Sequence, residues 1–172
     1  MIERHYLDDC LVQLRKLKTQ VDKAIAQIDD RQFFAALDPE SNSIALLMKH
    51  ISGNIRSRST DFLTTDGEKP NRNRDGEFEL GGEDTRAAVQ ARWEESWRLL
   101  FETMGSLQPG DLEKTVTIRG EAHTVVQALN RQVSHYSAHV GQIVLLAKHF
   151  AGARWQTLSI PRRKAPVQGS GC

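Results

Sequence analysis

The sequence predicts an all-α fold, a four-helix bundle with a long loop between its second and third helices. Three observations lead there. Four stretches repeat apolar residues at helical spacing, from about Glu3 to Asp29, from Asn42 past Ile55, from about Thr85 to Met104, and from Thr124 onward. Turn residues punctuate their ends: Asp38-Pro39, Gly105, Pro109-Gly110, Gly152 and Pro161. The β-prone run Thr115-Val116-Thr117-Ile118 is short and is followed by Gly120, so it reads as a strand-like connector rather than part of a large sheet.

In the first stretch Leu7, Leu14, Val21 and Ile28 recur every seven residues, with Cys10, Leu11, Leu17 and Ile25 on the same side. In the second, Asn42 or Ser43 can cap a helix whose stripe is Ile44, Leu47, Met48, Ile51 and Ile55. A neighbouring strip of Leu46, His50, Gly53 and Asn54 suggests packing on more than one side. Residues 64–84 then lose any apolar period. So long a connection is either disordered or an ordered functional loop; in the ordered case its charges, Phe78 and Leu80 pin it over one end of the domain. Val89, Trp93, Trp97, Leu100 and Met104 mark the inner face of the third helix. The last opens on a capping box, Thr124 with Gln127, and carries Val126, Leu129, Val133, Tyr136, Val140, Ile143 and Ala147 on one face. Residues 1–161 are expected to form one domain, with 162–172 a flexible tail.

The chain of 172 residues carries a net charge of +1 with acids and bases mixed, which gives no electrostatic reason to expect nucleic acid or an anionic membrane as partner. No apolar run approaches the roughly 20 residues of a membrane-spanning helix, and Met1 to Lys18 lacks the apolar centre of a secretory signal. With two cysteines, Cys10 and Cys172, a disulfide framework is not expected, and a reducing cytoplasm is the default location. Trp93, Trp97 and the seven-residue pattern of the first helix fit either a homodimer interface or core packing.

Chemistry enters with His135 and His139. Four residues apart on a helix, they lie roughly 40° apart around the axis and one turn apart along it, so two ring nitrogens can face one spot. Histidine is the commonest transition-metal ligand. The pair stands off the main apolar stripe, beside Ala128, Gln132, Gln142 and Leu146, a strip better suited to a polar cleft than to bulk water. A third ligand must come from elsewhere. His50 is a candidate, its alternative being an ordinary hydrogen-bonded side chain. His149 lies about 15 Å farther along the helix than His139, His123 precedes the helix cap, and His5 sits near the terminus.

The stretch Asn42-Ser43-Ile44-Ala45 through His50, with Gly53-Asn54-Ile55-Arg56-Ser57-Arg58, resembles the second helix of the DinB/YfiT-like four-helix bundles. His135-x-x-x-His139 followed by Gly141-Gln142-Ile143 resembles their last helix. Asp66-Gly67-Glu68-Lys69-Pro70, Arg72, Arg74 and Glu77-Phe78-Glu79 resemble the loop signature of an uncharacterised bacterial branch. The resemblance runs from about Tyr6 to Pro161. It implies a divalent metal, zinc or nickel, held by His50, His135 and His139. It also implies reactions of low-molecular-weight thiols, either S-transfer or isomerisation.

Three neutral histidines leave a coordination position for water or a thiol, the pattern of a catalytic site. The expected function is therefore a small-thiol-dependent transferase or isomerase acting on a small-molecule substrate. The alternatives are a metal-dependent hydrolase, for which no clear carboxylate partner stands out, and a non-enzymatic dimeric ligand-binding or stress-response bundle. Gln132, Gln142 and Asn54 can orient ligands or serve as plain buried amides. Arg56, Arg58, Arg72 and Arg74 can grip a carboxylate, but pairing with Asp61, Asp66, Glu68, Asp75 and Glu77 is the favoured reading.

Overall fold

A computed structural model, which describes residues 2–160, turns the four periodic stretches into four long helices. They are α1 (Ile2–Ile25), α3 (Ile44–Ser59), α4 (Arg86–Ser106) and α5 (Val125–Ala151), with a short α2 (Asp30–Phe34) after the first. The chain is mostly helical, in keeping with the all-α expectation. The expected tail, 162–172, lies outside the described residues. No described helix is long and apolar enough to cross a membrane.

Side-chain caps set where the helices begin. Ser43 Oγ accepts from Leu46 N–H at 3.2 Å, Thr85 Oγ1 from Ala88 N–H at 3.2 Å, and Thr124 and Gln127 close a reciprocal box. The apolar period misleads at one end. The expected first helix reaches Asp29, but α1 stops at Ile25 and Ile28 is buried in the turn that follows. Asp29 instead caps α2, whose own box pairs it with Gln32. At the other end of the third stretch, Gly105 does not stop α4, which runs on to Ser106.

Helix α3 lies along α4 and α1 along α5, while α3 also touches α5 and α1 touches α4. One apolar core fills the space between them. Trp93 and Trp97 sit inside it at 1% and 0% exposure, in edge-on contact 5.2 Å apart. These tryptophans therefore supply core packing and not a subunit interface. Val126 and Val133 of the expected α5 face are only half-buried, whereas Val125 and Ala128 are fully buried.

The β-prone run is strand β1 (Thr115–Ile118). It pairs antiparallel with β2 (Glu121–Thr124), which has no strand signature of its own. Arg119 and Gly120 make the two-residue turn between them, both at positive φ (56° and 78°), as a tight hairpin requires. The long loop is tied to this hairpin. Gly67 N–H donates to Thr117 O at 2.8 Å. The carboxylate of Asp66 accepts the backbone N–H groups of Glu68, Arg119 and Gly120 at 2.6, 2.9 and 2.8 Å. At the loop's far end Lys49 and Arg92 both pair with buried Asp84. Charges and Phe78 thus hold the loop; Leu80, expected to help, is 39% exposed.

Candidate metal centre

Helix α3 presents His50 toward α5, where the one-turn spacing of His135 and His139 places both rings on the same side. His135 Nε2 lies 3.3 Å from His50 Nε2 and 3.1 Å from His139 Nε2. Ligand nitrogens of all three fall within 4.8 Å of one another, close enough to hold a metal ion. Zinc–nitrogen bonds of about 2.0–2.1 Å at tetrahedral angles set donors about 3.3 Å apart, so these spacings fit.

The proton inventory points the same way. His50 Nδ1 is 2.8 Å from Glu77 Oε2, and a carboxylate only accepts, so Nδ1 carries the proton and a neutral ring is left with a bare Nε2. His139 Nδ1 is 2.9 Å from Gln142 Oε1, which leaves its Nε2 bare as well. His135 Nε2 faces both and can offer one hydrogen at most. One lone pair thus faces another unless a cation lies between them. Burial, then the neighbouring His139 and His50, then Arg72 and Arg58, push the pKa of His135 down to about 4. His139 is also lowered, chiefly by burial. Both rings are neutral at neutral pH, the form that binds metal.

Glu77 is the partner that sequence reasoning missed. Sequence reasoning gives it a loop ion pair, which it does form with Arg72, and it also orients His50, a candidate ligand. Arg72 grips it with two bonds, Nε to Oε1 at 2.7 Å and Nη2 to Oε2 at 2.8 Å. Burial alone would raise the pKa of Glu77, but the bonds from His50 and Arg72 hold it below the usual value. A ligand histidine backed by a carboxylate is a common feature of metal sites, fixing tautomer and ring angle. Gly53 makes room for it, since a Cβ there would overlap the Glu77 carboxylate. Phe78, next in the chain, stacks on His50 with centroids 4.6 Å apart. The available signal was that Glu77 belongs to a distinctive loop motif.

The remaining candidates separate cleanly. Gln142 holds His139, as expected of an orienting amide. Asn54 accepts from Tyr136 O–H at 3.1 Å and, like buried Gln132, lines the cavity wall. His123 serves the hairpin through Glu121 O at 3.0 Å, and His5 and His149 are exposed elsewhere. Loop pairing accounts for part of the arginine set: Glu68 meets Arg58 and Arg72 at 3.2 Å, and Asp75 meets Arg74 at 3.3 Å. Asp66 serves backbone N–H groups instead. A cavity of about 300 Å³ opens beside the histidines, walled by Phe78, Ile118, Gln132 and five arginines.

Fold and cluster together define a mostly helical protein with a candidate three-histidine metal centre. The chain belongs to a family described as proteins of unknown function (DUF1572), which matches residues 1–164. No curated protein matches it.

Proposed function

We propose that the chain is a divalent-metal-dependent enzyme on a DinB/YfiT-like four-helix bundle, with His50, His135 and His139 as ligands to zinc or nickel. The reaction class is S-transfer or isomerisation with a low-molecular-weight thiol. The observation that carries this reading is the convergence of three Nε2 atoms that their own protons cannot reconcile. The buried Glu77–His50 pair supports it, because such a carboxylate presets a ligand ring.

A divalent ion held there supplies Lewis acidity, which favours the thiolate over the thiol near neutral pH. The protein's own residues hold that arrangement in place. Arg72 and Glu77 fix His50, Gln142 fixes His139, and Phe78 covers the outer face of His50 against water. The cavity gives a small substrate room on the open side. In the transfer, a sulfur lone pair forms the new S–C bond, the thiol proton goes to water, and the leaving group departs with the electron pair of the broken bond. Hydrolysis ranks behind, because Glu77 is engaged by both Arg72 and His50 and is not free to act as a base.

The test is elemental analysis of protein purified without chelator or affinity-column nickel. About one zinc or nickel per chain, lost in His135→Ala, is expected. A folded, metal-free wild type that takes up neither ion would overturn the reading. Turnover with a panel of thiols and electrophiles then tests the reaction class.

A further inference from the structure

Among the described residues, the wall of the cavity beside the histidines contains Arg58, Arg72, Arg74, Arg119 and Arg131, and no aspartate or glutamate. Arg72 is fully occupied by Glu77 and Glu68. The others are not. Among the described residues Arg131 has only a long contact, 3.5 Å, to His123 Nε2. Arg119 gives its Nε alone to Glu68, which Arg58 and Arg72 already share. Arg58 is 6% exposed, and its buried Nη1 has no hydrogen-bond partner among the described residues. Guanidinium donors gathered around one cavity with no carboxylate in its wall attract anions, and their planar fork suits two-oxygen groups. The cavity, about 300 Å³, is sized for a small molecule.

We infer that the substrate of this site carries a small anionic group, of the carboxylate or sulfonate class, held by Arg119 and Arg131 with Arg58 behind them, while its reactive end lies at the histidine cluster. The inference rests on the proposed function for the place of the metal, but the arginine wall stands without it. Arg119 comes from the hairpin and Arg131 from the first half of α5, so the hairpin has a part in recognition.

Calorimetric titration of the zinc-loaded protein tests it with three probes: 3-mercaptopropionate, 2-mercaptoethanesulfonate and 3-mercaptopropanamide, which is uncharged apart from its thiol. At least one of the acids is expected to bind about tenfold or more tighter than the amide, as charge-assisted pairing allows. The order of the two acids names the preferred anion. In the Arg119→Gln/Arg131→Gln variant the preference shrinks below about threefold, with zinc content and thermal midpoint unchanged. Equal binding of all three by the wild type, or a preference that survives in the variant, overturns the inference and leaves the metal reading standing. If zinc does not bind, propionate is titrated into the metal-free protein. Binding that depends on Arg119 and Arg131 then supports the anion site while the metal reading falls; no such binding overturns both.

Discussion

Two cavities of nearly equal volume, about 300 and 310 Å³, open on different faces of α3. His50, Asn54 and Arg58 line the first; Lys49, Ser52, Gly53 and Arg56 line the second, together with α4. The second mixes signs, with Arg92 and Arg98 set among Glu95 and Glu102, and Arg98 paired to Glu102 at 3.0 Å. It contains no histidine. The first has one sign of charge and three imidazoles whose lone pairs meet. Size therefore does not separate them. What separates them is donor convergence, and that depends on a loop carboxylate reaching across Gly53.

The largest expected effect is on metal binding. His135→Ala or His50→Ala should lower zinc affinity by more than about a hundredfold, since ligand loss exceeds the 10–100-fold cost of losing an outer partner. Glu95→Gln, in the second cavity, should change it by less than about twofold, as for independent sites. Equal losses from both cavities, measured by competition with a chromogenic chelator, would erase the distinction.

Next comes the support behind His50. Glu77→Gln, and separately Gly53→Ala, should weaken zinc binding by about 10–100-fold while the helical circular dichroism signal stays the same. An unchanged affinity in both variants would show that the Glu77 bond does not matter to the site. A smaller effect is expected from Tyr136→Phe, which strips buried Asn54 of its donor. About 1 kcal/mol of stability should be lost, read as a lower urea midpoint with metal affinity unaltered.

Acid should also separate the two sides of α3. His135 has its pKa at about 4 against 6.5 in the unfolded chain, so the unfolded chain takes up that proton first. Metal-free protein should lose stability as pH falls from 6.5 toward about 4, and then no further from this group. Asp84 lies on the other side. Burial works to raise its pKa, but Lys49, the Gly81 N–H and Arg92 hold it below 3.8, so its contribution fades only under that pH. Urea midpoints against pH should flatten in the first window for His135→Gln and in the second for Asp84→Asn.

The helices were legible because their cues are local. Ser43, Thr85 and Thr124 announce their caps, and the apolar periods announce the faces. The break at Ile25 was legible too, in the Asp29–Gln32 box, but an apolar repeat reaching Ile28 concealed it. The His135–His139 pair shows in its spacing, whereas His50 needed the family resemblance to be chosen over other histidines. Glu77, Arg119 and Arg131 could not be placed by spacing. Their importance arises from contacts across 27 residues for Glu77 and 51 for Arg119, and from a hairpin whose second strand has no β-branched signature before Thr124.

Arg119 occupies a left-handed backbone conformation that glycine adopts more cheaply, by about 1 kcal/mol. A search for thermostable variants would therefore favour Arg119→Gly, and the same change would delete a cation from the cleft mouth. Selection for heat tolerance and selection for ligand capture should pull this position in opposite directions.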